Sequence, residues 1–181
     1  MSDSPRSQLP TFKYHPDPLA TGAIEVSEAR CECCGEARGY AYTSGTYGEK
    51  DLSVVCPWCI SDGRLEREHD ASLSADHGLL SAGISKDVVR EVTCRTPGYS
   101  CWQSEEWLTC CGDACAFHGE PLASELRALD ADGLSKLSSE STLSVEDLRE
   151  IFRTYEPGGS PAFYKFICLH CGRIRYGWDC D

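Results

Sequence analysis

At 181 residues the chain can bury roughly 70% of its extended-chain surface around a core, so its size alone demands no covalent staples. Its 41% hydrophobic content includes no run of ten apolar residues, which argues against a membrane-spanning helix. The net charge of −12, carried mostly by residues 61–160, opposes nucleic-acid phosphates and anionic lipid and favours a basic protein partner.

The N-terminus lacks the basic start and apolar stretch of a secretory signal, so a cytoplasmic, reducing location is expected. There the thirteen cysteines read as metal ligands or catalytic thiols, and their odd count fits poorly with full disulfide pairing.

Residues 1–9 are polar with proline and serine, and the sequence predicts a disordered arm. Prolines 10, 16 and 18 exclude a regular helix after it, leaving Phe12, Tyr14 and Leu19 to pin an extended strap. Gly39–Thr43 and Leu52–Cys56 read as short strands bracketed by cysteine pairs, followed by a helix over Ile60–His69. Ser85 can cap a short helix that carries Val88, Val89 and Val92 and ends at Thr96-Pro97-Gly98. Residues 121–129 favour helix, with Leu122, Leu126 and Leu129 in one stripe, and the serine-rich stretch 135–144 reads as a loop or hinge. Ser144 to Asp147 resembles a capping box, opening a helix with Leu148, Ile151, Phe152 and Tyr155 on one face. Phe163–Ile167 and Ile174–Tyr176 are strands joined by a tight cysteine turn. The expected fold is α+β: zinc-ribbon-like β hairpins with cysteine turns and a helical insertion. It forms a single zinc-stabilised domain over 10–181, with the first metal site in lobe 31–69 and the second in lobe 85–181.

Two thiolates separated by two residues can face one tetrahedral metal from a single turn, and two such turns complete its coordination. Cys31–Cys34–Gly35 and Cys168–Cys171–Gly172 have that form, with a glycine where the turn needs a left-handed residue. Cys56 and Cys59 supply the partner of the first pair, with 21 residues between the pairs. Cys33 also lies in that turn and stays open as a replacement. For Cys168 and Cys171 the spacing favours Cys111 and Cys115, with Cys110 and His118 as substitutes. Two zinc ions are therefore expected, on Cys31, Cys34, Cys56 and Cys59 and on Cys111, Cys115, Cys168 and Cys171, with iron left open as the metal. Cys94, Cys101 and Cys180 lack spaced partners and read as small buried residues. His170, inside its cysteine turn, is expected to point outward, and Trp58 to pack over the turn of Cys56-Pro-Trp-Cys59.

The order of these motifs resembles the CbrC family of small bacterial multi-CxxC proteins, one member of which is associated with colicin tolerance. The resemblance rests on Phe12-Lys-Tyr-His-Pro-Asp-Pro18, Cys31-Glu-Cys-Cys-Gly35, Cys56-Pro-Trp-Cys-Ile60 and Asp62-Gly63. It continues through Arg95-Thr-Pro-Gly-Tyr99, Trp102-Gln103, Trp107-Leu108, Cys111-Gly-Asp113, Cys115-Ala-Phe117 and Phe166-Ile-Cys-Leu-His-Cys-Gly172. These stretches run through most of residues 9–178 but leave 120–160 uncovered. The resemblance implies metal-binding cysteine turns and no catalytic residue.

The expected function is that of a non-enzymatic structural-zinc protein that binds another protein, in its specific form a basic nuclease toxin as a tolerance or immunity factor would. The competing reading is a thiol-disulfide oxidoreductase using Cys56-Pro-Trp-Cys59, although three CxxC pairs are more than that chemistry requires. A zinc hydrolase would need an open site, such as His118 near Asp113 or Glu120, and no HExxH spacing supports it. Lys165, Arg173 and Arg175 beside Tyr164 and Tyr176 offer at most a local patch for nucleic acid.

Overall fold

A computed structural model describes residues 8–181, so the disorder expected of residues 1–7 lies outside the described residues. Leu9, at the edge of that arm, is half-buried against core residues. The strap over residues 10–19 has no regular structure, and Phe12 and Tyr14 are buried as anchors while Leu19 is exposed.

The strap leads into β1 (Ile24–Val26), which pairs antiparallel with β2 (Tyr40–Tyr42). The strand predicted over Leu52–Cys56 shrinks to a single bridge between Tyr42 and Val55. The predicted helix at 60–69 is two, α1 (Pro57–Ser61) and α2 (Arg64–His69). Gly63 separates them with φ +70°, and a Cβ there would approach the Arg95 guanidinium to 2.9 Å. Pro57 starts α1 at the one helical turn where a missing N–H costs nothing.

After α3 (His77–Ser81), α4 (Lys86–Arg95) begins at Ser85, whose hydroxyl accepts from the Val88 N–H. Val89 and Val92 are buried and Val88 packs beside them. Three small strands follow: β3 (Thr109–Cys110), β4 (Asp113–Ala114) and β5 (Ala116–Phe117).

The helical insertion holds α5 (Ala123–Arg127), α6 (Ala131–Glu140) and α7 (Val145–Thr154). Here the expected loop over 135–144 is corrected, because most of it is α6. Asp130 caps α6 by accepting from the Gly133 N–H, and Leu134 and Leu137 bury against Leu148 and Phe152. Serine loses only a few tenths of a kcal/mol against the best helix formers, less than two buried leucines return. Leu122, expected on the apolar stripe, instead precedes α5 and is exposed. The capping box before α7 forms as predicted, with Asp147 receiving the Ser144 N–H and Ser144 receiving the Asp147 N–H.

β6 (Ala162–Ile167) is the centre of the largest sheet, pairing antiparallel with β5 on one side and β7 (Ile174–Asp179) on the other. Its alternation serves two cores. Tyr164 and Phe166 join Tyr99, Trp107 and Phe117 in an aromatic cluster, while Phe163 turns to Phe152 and Tyr155 of the insertion. The fold is thus α+β, mixed helices and small antiparallel sheets, and no described helix is long and apolar enough to cross a membrane.

His15 sits fully buried beside the strap. Its Nδ1–H donates to the Pro97 carbonyl at 2.9 Å, so Nε2 accepts from the Thr21 hydroxyl at 2.6 Å. Burial pushes its pKa down to about 4, outweighing the Pro97 hydrogen bond that acts in the other direction. The folded value lies below the unfolded value of about 6.5. The stabilisation is therefore complete above pH 6.5 and is lost as pH falls towards 4. His15→Gln keeps a donor and an acceptor but cannot titrate. It should spare the protein about 2 kcal/mol of the stability lost between pH 6.5 and 5. Urea unfolding at both pH values checks this; equal losses in the two proteins would remove His15 as the cause.

Candidate metal centres

Both CxxC-Gly turns fold alike. The Cys31 N–H donates to the Glu36 carbonyl, and the Gly35 N–H closes back onto the Cys31 carbonyl. In the last hairpin the Cys168 N–H donates to the Arg173 carbonyl and the Gly172 N–H to the Cys168 carbonyl. Gly35 has φ +74° and Gly172 φ +69°, values that cost a residue with a Cβ. Each turn therefore presents its two sulfurs on one side of a rigid loop.

The first turn faces the start of α1. Cys31, Cys34, Cys56 and Cys59 converge, all four sulfurs lying within 4.8 Å of one another. Cys31 and Cys59 are 3.9 Å apart, and Cys34 and Cys56 are 3.8 Å apart. A tetrahedron with Zn–S bonds of about 2.3 Å has sulfur–sulfur edges of about 3.8 Å, whereas a disulfide would need about 2.05 Å. All thirteen cysteines are free thiols.

The Cys56 N–H donates to the Cys31 sulfur at 3.2 Å. Hydrogen bonding from the Cys56 thiol, assisted by backbone N–H groups of Cys56, Cys34 and Cys33, holds the Cys31 pKa down to about 4 against burial. The Cys56 thiol is pushed up by its bond to Cys31 and by burial, and burial likewise raises Cys59. The thiolate is thus favoured at Cys31 and disfavoured at Cys56 and Cys59, an opposition that a bound cation would offset. Trp58 lies tilted against Tyr40 and receives the Arg38 guanidinium over its ring at 5.4 Å, packing beside the turn.

The second group corrects the expected residue set. Cys110, Cys111, Cys168 and Cys171 lie within 4.8 Å of one another, and Cys115 is not among them. Cys110 is 3.7 Å from Cys111 and 3.8 Å from Cys171, again tetrahedral edges. The reason is the β3–β4 hairpin. Cys110 pairs with Asp113, so Cys111 and Gly112 form a two-residue loop with φ +55° and +74°. Positive φ at both positions is the hairpin geometry that matches strand twist, and it turns two adjacent side chains to one side. Cys115, beyond the hairpin, is fully buried among Phe117, Phe166 and Trp107. Burial pushes its thiol up to about 12. The signal that marks this arrangement in the sequence is Cys-Gly flanked by short strands, a hairpin cue rather than a cysteine-spacing cue.

In this group N–H groups of Cys171 and His170 hold the Cys168 pKa down to about 6, and burial pushes Cys110 up to about 12. Asp113 joins the two halves. It accepts from the Tyr14 hydroxyl at 2.7 Å, from Lys13 at 3.2 Å and contacts His170 Nε2 at 2.9 Å. Burial raises its carboxyl, but those three partners together hold it below the usual range. His170 does point out of its turn, onto this carboxylate, so strap, hairpin and cysteine turn meet at one residue that cysteine spacing could not reveal.

Other candidates are not assembled into sites. His118 and Glu120 line a cavity of about 560 Å³ with Asp17 and Tyr164, and no cysteine lines it. Asp113 is not part of that cavity, and His118 joins no group of three metal-binding side chains among the described residues. On the last hairpin Arg175 pairs with Glu140 and Lys165 with Glu125, and Tyr164 is buried. Two of the three cations offered for nucleic acid are therefore engaged internally.

A family model described as an uncharacterised protein family, UPF0167, matches residues 9–180. The chain is similar to a UPF0167 protein of Pseudomonas aeruginosa, 47% identical over 173 residues, covering 94% of this chain and 97% of the relative. It is also similar to UPF0167 proteins of Mycobacterium bovis and Mycobacterium tuberculosis, each 40% identical over 169 residues, 91% of this chain and 90% of the relative. No solved structure matches.

Proposed function

The chain belongs to the UPF0167 family, and we propose that it is a structural-zinc protein that works by binding another protein. The observation that carries this reading is the convergence of four sulfurs within 4.8 Å in each group, with two edges of 3.7–3.9 Å in each, as tetrahedral Zn–S4 requires. Four thiolates leave no open position, so these metals hold the fold and do no chemistry. The two zinc-ribbon-like lobes share one domain over 10–181. Oxidoreductase chemistry at Cys56 and Cys59 is disfavoured because both thiols are only 2% exposed and are shifted away from the thiolate form.

Each Zn(Cys)4 unit carries a charge of about −2, so metal loading deepens the net charge of −12. Such a surface attracts a basic partner, and the resemblance to the CbrC family points to a basic bacteriocin in the cytoplasm. Native mass spectrometry of reduced protein purified without added metal should find two zinc ions per chain; none would overturn the reading. Host cells that produce the protein should survive a basic nuclease bacteriocin better than cells producing Cys59→Ser. Equal survival would remove the tolerance role and leave the metal reading standing.

A further inference from the structure

Cys33 stands in the first cysteine turn but outside its tetrahedron. Its sulfur, a carboxylate oxygen of Glu68 and a ring nitrogen of His69 lie within 4.8 Å of one another. Glu68 and His69 are the last two residues of α2, which Asp70 ends in a left-handed conformation at φ +48°. The bend set by Gly63 between α1 and α2 returns that helix end to the cysteine turn. Two further features mark the place as built. His69 Nε2 is shielded from solvent with no hydrogen-bond partner among the described residues, an unfavourable state for a buried polar atom. The Cys33 thiol also reaches Cys59, so it borders the first centre directly.

We infer that Cys33, Glu68 and His69 form a third, open metal site beside the first four-cysteine centre, suited to a borderline divalent ion such as zinc. One sulfur, one imidazole nitrogen and one carboxylate oxygen are all ordinary zinc donors. Three ligands leave the fourth corner to water or a small exogenous donor, which distinguishes this site in kind from the two closed centres. Glu68 has a side chain 54% exposed and paired at only 3.6 Å with Arg64, so it can swing onto an ion without breaking a close contact. Its exposure also makes the site weaker than the other two, and it should fill last.

This goes beyond the two-zinc reading and is tested separately from it. Full-length reduced protein holding its resident metals would be titrated with zinc and followed by native mass spectrometry. The wild-type chain should take up one further ion, while Cys33→Ser and His69→Ala should each stop one short and keep the ions of the closed centres. Glu68→Gln should weaken the last step by at least tenfold. With cobalt added to the zinc-loaded protein, the thiolate-to-cobalt absorption of the extra equivalent should vanish in Cys33→Ser. Uptake that ends at the same count in wild type and both variants, or a further ion that persists in both, would overturn the site. Loss of the resident metals in wild type would instead overturn the structural-zinc reading.

Discussion

Replacing Cys59 with serine is expected to remove one metal ion and to unfold the segment from about Ala23 to Leu73, rather than merely soften it. Cys31, Cys56 and Cys59 are each 2% exposed and sit inside an apolar cluster with Phe12, Ile24, Tyr42, Leu52, Val55, Ile60 and Leu65. The elements around them are too small to persist alone. Strands β1 and β2 have three residues each, α1 has five and α2 six, far below the length at which a helix or hairpin is stable in water. Structural zinc contributes roughly 10–16 kcal/mol of apparent binding free energy in small modules, as large as the roughly 5–15 kcal/mol that separates a folded domain from its unfolded chain. Hydrogen exchange should show Tyr42 and Val55 losing protection in Cys59→Ser, while Phe163 to Phe166 in β6 retain theirs. A variant with one ion fewer and unchanged protection across residues 23–73 would show that the apolar cluster holds this lobe without its metal.

Cys110→Ser and Cys115→Ser should give opposite results. The first removes a corner of the second tetrahedron, so the second ion should be lost and the β3–β4 hairpin and Cys168–Gly172 turn should loosen together. The second leaves all four sulfurs in place. Its cost is a hydroxyl buried among Phe117, Phe166 and Trp107, about 1–3 kcal/mol with the metal count unchanged. Native mass spectrometry and urea unfolding of both variants distinguish the outcomes. A lost ion in Cys115→Ser and an intact count in Cys110→Ser would reverse the assignment drawn from the geometry.

Much of the local structure follows from neighbouring residues alone. The caps at Ser85 and Ser144, the strand over Phe163–Ile167 and the closing turn at Gly172 all depend on side chains within a few positions of the groups they satisfy. The loop expected over 135–144 shows where that reasoning stops. Serines there are weak helix formers, but Leu134 and Leu137 pack against the following helix α7, and burial overrides propensity. Gly63 is similar: the neighbour that a Cβ there would meet is Arg95, 32 positions away.

The sequence by itself determined that cysteines come in turns, that Cys31 and Cys34 pair with Cys56 and Cys59 in space, and that the class is α+β. Those readings rest on short-range spacing, because two residues between cysteines let one turn present both sulfurs on the same side. Only the tertiary structure decided which cysteines of the 110–115 segment face Cys168 and Cys171, because Cys110 and Cys115 differ in the side of the chain they occupy. That side is set by the Cys111-Gly112 turn and by what Phe117 and Trp107 bury. The same holds for Asp113 with Tyr14 and His170, and for Cys33 with Glu68 and His69: each unites residues far apart in the chain, and packing alone brings them within reach.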